Sequence, residues 1–157
     1  MGGMLAFALT NEILKNKFVL PSHIFISGMY PPHIIKVNKE MHKLPDGIFW
    51  DEVYKLGGIP LELKENESLK KIFIPILKSD YRIFETFDRG RLAHYKAPCD
   101  LTVFTGMNDE YVSNSEAMAW KEYTCGVFKS YMFKEGHFFI NSNIVEIARL
   151  INNTLIY

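Results

Sequence analysis

Cysteine is nearly missing from this chain: Cys99 and Cys125 are the only two among 157 residues. They form no C-x-x-C pair and have no histidines at metal-ligand spacing, which argues against a disulfide framework or a zinc site and for two structural thiols in a reducing compartment. Charge of one sign is missing too. Lys+Arg and Asp+Glu both number 18, and no basic cluster stands out. Long-range attraction to nucleic acid or to an anionic membrane surface is therefore not expected. No run is long and apolar enough to cross a bilayer, and the N-terminus lacks the charged-then-apolar layout of a secretory signal. Met1-Gly2 begins like a myristoylation site, but the sixth residue is Ala6 where that pattern wants Ser or Thr. These absences predict a cytoplasmic location. Internal repeats and low-complexity tracts are also lacking. His23, His33, His42 and His94 have no metal-type spacing, so neither a metal nor a cofactor is expected.

What is present suits a single globular domain: 48% hydrophobic, 23% charged and 14% aromatic residues. Gly2 to about Lys17 reads as a helix, with Met4, Leu5, Ala8, Leu9 and Ile13 on one side. Ser22 to Ser27 reads as a short strand ended by Gly28, after which Tyr30-Pro31-Pro32 breaks regular structure. Two further strands are expected at Leu101–Thr105 and Val127–Phe133. The helix between them opens on Ser113-Asn114-Ser115-Glu116, a capping box in which hydroxyl and carboxylate each satisfy a backbone N–H. A last helix spans about Ser142 to Leu155, with Ile144, Ile147, Ala148, Ile151 and Leu155 at helical spacing. Strands alternating with helices in this way predict an α/β fold with right-handed crossovers onto a parallel sheet.

The stretch from about Pro31 to Pro98 interrupts that alternation. It has no convincing strand and at least two helices, one from Asp46, its expected cap, to Leu56, the other from Asn66 to Phe87 with Pro75 inside it. The second carries Leu69, Ile72, Phe73, Ile76, Leu77, Phe84 and Phe87 as its apolar stripe. A helical insertion between two sheet strands is either a cap over a site or a second layer of core helices, and the pattern leaves both open.

The informative constellation follows the second and third strands. Gly106-Met107-Asn108-Asp109-Glu110-Tyr111-Val112 comes after the second, and Gly136-His137-Phe138-Phe139 after the third. Functional groups in open parallel sheets gather beyond the carboxyl ends of strands. Asp109 and His137 stand at two such ends, the layout of an Asp that orients a His. Taken alone, an Asp in a turn is usually a cap, and a His beside two Phe is more often packed than catalytic. The start, Met1-Gly2-Gly3-Met4, reads as the second half of a Gly-x-Ser-x-Gly nucleophile elbow, with Gly2 in the place of the last glycine. That order, Ser before Asp before His, is the one this kind of fold uses. Ser113 and Ser115 are accounted for by capping and are not substitute nucleophiles.

With these residues in view, the chain resembles the type II thioesterases that accompany nonribosomal peptide and polyketide synthases. The most specific stretches are Phe25-Ile26-Ser27-Gly28, Leu44-Pro45-Asp46 through Gly57-Gly58-Ile59-Pro60, Ile72 to Tyr81 with Glu85-Thr86, Gly106 to Val112, Trp120-Lys121 and Gly136 to Phe139. The resemblance implies an α/β-hydrolase fold in which residues 1–30 and 98–157 form a partial core and 31–97 a helical lid. It implies hydrolysis of acyl groups from the phosphopantetheine arm of acyl or peptidyl carrier proteins, in antibiotic-type biosynthesis. Asp109 becomes the triad acid, His137 the general base, and the Met1 backbone N–H an oxyanion-hole donor. The chain departs from the family in two ways. It starts just after the position of the nucleophilic serine, which suggests a gene start placed at an internal methionine, and Met29 stands where the family shows a basic residue. A sheet cut at this point is expected to associate with itself through its open edge. Two other readings remain: a carrier-binding module without catalysis, and an esterase or acyltransferase of another substrate class.

Overall fold

The computed structural model describes residues 1–36 and 40–156. Residues 37–39 of the expected lid and residue 157 of the expected core therefore lie outside the described residues. In chain order the elements are α1 (Gly2–Lys15), β1 (His23–Ser27), α2 (Asp46–Lys55), α3 (Leu61–Lys64), α4 (Glu67–Thr86), β2 (Asp100–Gly106), α5 (Asn114–Met118), β3 (Phe128–Phe133) and α6 (Ile144–Leu155). Short 3-10 turns stand at Met41–Lys43, Arg89–Leu92, Ala119–Tyr123 and Phe139–Asn141. The chain divides into two compact units, one of Met1–Ile34 with Arg89–Tyr157, the other of Ile35–Asp88.

The first unit is built on a parallel sheet in the order β1-β2-β3. The register runs from His23 on Asp100 to Ser27 on Phe104, and from Leu101 on Phe128 to Gly106 on Phe133. β2 is central, and its residues from Leu101 to Gly106 are all buried, as a strand covered on both faces must be. Register partners share a face. Phe25, Phe104, Tyr131 and Phe133 thus lie on one side, where Phe139 and the Ile147, Leu150 and Ile151 stripe of α6 pack on them. Ile144 and Leu155, expected on that stripe, are exposed. They are the first and last residues of the helix.

The opposite face carries Ile24, Ile26, Leu101 and Val103 and receives α1. The buried side of α1 is Met4, Phe7, Thr10 and Asn11, whereas Leu5 and Leu9 of the expected side are exposed. The helix is apolar over most of its circumference, so periodicity identifies the helix but does not choose which side meets the sheet. Phe7 anchors it among Tyr95, Trp120 and Tyr123, with ring centroids 5.0, 5.0 and 5.7 Å away. α1 stops two residues earlier than expected because Lys17 turns to φ +57. The capping box at Ser113 and Glu116 forms as its spacing predicts.

The second unit has its own core of Phe49, Trp50, Val53 and Ile74, with Leu77 and Tyr81 against it. Here too the stripe is rotated from expectation, since Ile72, Phe73 and Ile76 are exposed. α4 is apolar on two sides, and packing on α2 uses the Ile74–Leu77–Tyr81 side. α4 is capped by the Asn66 side chain, which accepts from Ser68 N and Leu69 N, and it runs as one element through Pro75. Asp46 does not cap α2. Pro45 holds the cap position, and the Asp46 carboxylate pairs with Lys78. Glu85 of α4 accepts from Met41 N at 2.8 Å and pairs with the His42 ring. No helix among the described residues is long and apolar enough to cross a membrane.

Candidate active site

The site lies where β2 and β3 end. Beyond Gly106 the two outgoing loops stay bound to each other: Met107 N donates to Phe133 O at 2.6 Å, Asn108 N to Glu135 O at 3.1 Å, and the Asn108 side-chain amide to Lys134 O at 2.6 Å. Gly106 makes that approach feasible. A Cβ there would stand 2.3 Å from Gly136 O and 2.5 Å from Glu135 O, closer than any side chain tolerates against backbone.

This pairing sets Asp109 opposite His137. Oδ1 of Asp109 accepts from the backbone N–H groups of Tyr111 at 2.8 Å and Val112 at 3.1 Å, and Oδ2 accepts from His137 Nδ1 at 2.8 Å. The Asp109 side chain is 0% exposed and that of His137 31%. Both carboxylate oxygens are therefore engaged, and the acid has one orientation. Because a carboxylate only accepts, the Nδ1 facing it carries the hydrogen, and the neutral ring has its lone pair on Nε2. A base whose Nδ1 is tied to a buried acid, leaving the Nε2 lone pair available, is the arrangement that takes a proton from a nucleophile. The rings of Tyr111 and Phe138 stand edge-to-face to the imidazole at 5.5 and 5.3 Å.

The start of α1 comes to the carboxyl end of β1. A Cβ on Gly3 would meet Ile26 Cγ2 at 2.9 Å and Met29 Cβ at 3.2 Å, while one on Gly2 would meet nothing within 4 Å. Gly3 thus has a steric demand for glycine of its own, set by Ile26 and Met29, in addition to the glycine of the elbow motif. Met1 is the N-cap of α1, and its carbonyl accepts from Met4 N and Leu5 N.

A match to the thioesterase domain family covers residues 1–155. The chain belongs to that family. It is 30% identical over 146 residues to gramicidin S biosynthesis protein GrsT of Aneurinibacillus migulanus, covering 93% of this chain and 56% of that protein. Among solved structures it is similar to ClbQ from the colibactin NRPS/PKS pathway, with a TM-score of 0.89 and 32% identity over 98% of this chain and 64% of that one. It is also similar to the type II thioesterase BorB from the borrelidin biosynthetic cluster, with a TM-score of 0.83 and 27% identity over 96% and 60%. The chain accordingly spans less than two thirds of the length of these relatives.

Three of the other histidines are held by partners of their own, His42 by Glu85. His23 bonds Thr102 Oγ1 at 2.8 Å, and burial holds its imidazole below the ordinary histidine range. His33 bonds the Tyr123 hydroxyl at 2.9 Å. Cys99 is buried and Cys125 exposed, both as free thiols, and burial pushes the Cys99 thiol up. Met29 is buried, and its carbonyl accepts from Trp120 Nε1 at 2.7 Å. Sequence reasoning passed over Gly28, Tyr111 and Phe138 as neighbours of His137. Tyr111 and Phe138 were within reach, since each lies within two residues of a member of the pair.

Proposed function

We propose that this chain is the acid–base half of a thioesterase that releases acyl groups from the phosphopantetheine arm of acyl or peptidyl carrier proteins. The observation that carries the reading is the 2.8 Å bond from His137 Nδ1 to a buried Asp109 whose other oxygen is fixed by two backbone N–H groups. The names of the relatives support the substrate class: a gramicidin S biosynthesis protein and a protein from an NRPS/PKS pathway. In the reaction, His137 Nε2 takes the proton of a serine hydroxyl as it attacks the thioester carbonyl. The resulting imidazolium, steadied by Asp109, gives that proton to the departing pantetheine sulfur, and a water repeats the sequence on the acyl-enzyme. The Met1 backbone N–H, at the N-cap of α1, is the proposed oxyanion donor. The Ile35–Asp88 unit, within the 31–97 stretch assigned from sequence, is the proposed lid.

The test joins the part of GrsT outside the match to Met1 and compares this chimera with the 157-residue chain on an acyl-pantetheine thioester. Loss of a triad serine lowers turnover about 10⁶-fold, so the chain alone is expected to show no hydrolysis above blank while the chimera turns over steadily. His137-dependent turnover by the chain alone would overturn this reading. A chimera that binds acylated carrier without hydrolysing it would instead favour a carrier-binding module.

The same reading has β1 inside a wider sheet. Among the described strands β1 pairs with β2 alone, leaving one row of its N–H and C=O groups without a strand partner. We therefore expect the isolated chain to elute from a sizing column well above its 18.2 kDa mass and the chimera to elute as a monomer. An isolated chain that runs as a monomer and binds no apolar dye would contradict this.

A further inference from the structure

We infer that Gly28 is a positioning residue for His137: the bare backbone at the end of β1 is the wall against which the imidazole is held for Asp109. The inference rests on the acid–base role proposed for His137. Gly28 has φ +55, a left-handed conformation that side chains other than Asn and Asp rarely adopt. Its N–H donates to Phe104 O at 3.0 Å, which continues the β1–β2 ladder by one bond. The wall is therefore fastened to the central strand. A Cβ built on it would stand 3.2 Å from His137 Cε1, 3.6 Å from Nδ1 and 3.8 Å from Nε2, so it would press on the ring at the carbon between the two nitrogens.

The other sides of the ring are also occupied. Nδ1 is on Asp109 Oδ2, and the Tyr111 and Phe138 rings stand at 5.5 and 5.3 Å. Asp109 cannot follow a displaced ring, because Tyr111 N and Val112 N hold its second oxygen. A side chain at position 28 therefore presses the ring away from an acid that stays where it is. Small displacements at such a site are costly, since misplacing a reacting group by about 1 Å can lower a rate about 10²-fold.

Backbone strain and contact with the ring both forbid a side chain here, and two variants separate them. Gly28→Ala suffers both. Gly28→Asn tolerates φ +55 and still carries the Cβ. The readout is the tautomer and Nδ1–H signal of His137 in ¹⁵N-histidine spectra of the 157-residue chain, with His23, His33, His42 and His94 as internal references. Both variants are expected to lose the fixed Nδ1–H tautomer of His137 while the four reference histidines keep their signals. A Gly28→Asn chain with the His137 signature unchanged overturns the inference and leaves only strain. So does the loss of all five histidine signatures in both variants, which makes Gly28 a folding residue. The readout needs no turnover, so failure of the thioesterase assay would sink the functional reading without deciding this one.

Discussion

Asp109→Asn lowers the turnover of the GrsT-completed thioesterase about 10⁴-fold at unchanged KM, and His137→Ala lowers it further. The asparagine is nearly the same shape and keeps its turn. Its amide oxygen satisfies the two N–H groups of Tyr111 and Val112 that now meet Oδ1. That leaves the NH₂ group facing His137 Nδ1. Two donors cannot share a bond, so the ring gives up its Nδ1 hydrogen and carries it on Nε2, where the lone pair is needed. The imidazole stays in place in the wrong tautomer. Because Asp109 acts only through His137, the double variant should be no slower than His137→Ala alone. Steady-state kinetics on an acyl-pantetheine thioester decides it, and Asp109→Asn retaining more than about a tenth of the parent turnover would remove Asp109 from the mechanism.

Trp120→Ala leaves the chain without a cooperative unfolding transition. Trp120 is 0% exposed and packs on Phe7 at 5.0 Å and Tyr123 at 5.7 Å. Its Nε1 donates to the carbonyl of Met29, 91 positions away, at the residue following Gly28. Removing the ring opens a cavity worth about 3–5 kcal/mol. It also strands a buried carbonyl, at a further cost of about 1–3 kcal/mol. Against a domain stability of about 5–15 kcal/mol, that sum takes most of the margin. Trp120→Phe keeps much of the bulk and loses only the hydrogen bond, so it should melt cooperatively at a lower urea midpoint. A Trp120→Ala chain whose midpoint shifts by the equivalent of less than about 1 kcal/mol would show that this cluster does not hold α1 to the sheet.

The parts of the fold that were legible in the sequence are those governed by local chemistry. Ser113 and Glu116 stand at the one spacing that lets each cap the other, and they do. The run from Leu101 to Thr105 reads as a strand, and it is one, at the centre of the sheet. Asp109 and His137 were readable because the end of a parallel strand is a position that sequence order reveals, and the structure sets them 2.8 Å apart. Helix orientation was not legible. On α1 and α4 apolar residues occupy two sides, and only the partner surface selects Phe7 over Leu9 or Ile74 over Ile76. The demand for glycine at Gly3, Gly28 and Gly106 was hidden for a similar reason, since each is set by atoms remote in the chain: Ile26, the His137 ring and the Gly136 carbonyl.

The pairing of His23 with Asp100 joins strands whose partners are 100 − 23 = 77 positions apart, with the Ile35–Asp88 unit looped out between them. Arg89 Nη1 donates to Ile34 O at 3.0 Å, so the chain leaves for that unit and returns from it at nearly the same point. Loop-closure entropy rises by only about 0.6 kcal/mol for each doubling of length, and less if the looped-out segment has already condensed on its own Phe49–Trp50–Ile74 core. The β1–β2 register is thereby insulated from the length and identity of what is inserted. A chain closed in this way can change the insertion over evolutionary time, or have it exchanged by grafting between Ile34 and Arg89, while the strands that carry the acid and the base keep their alignment.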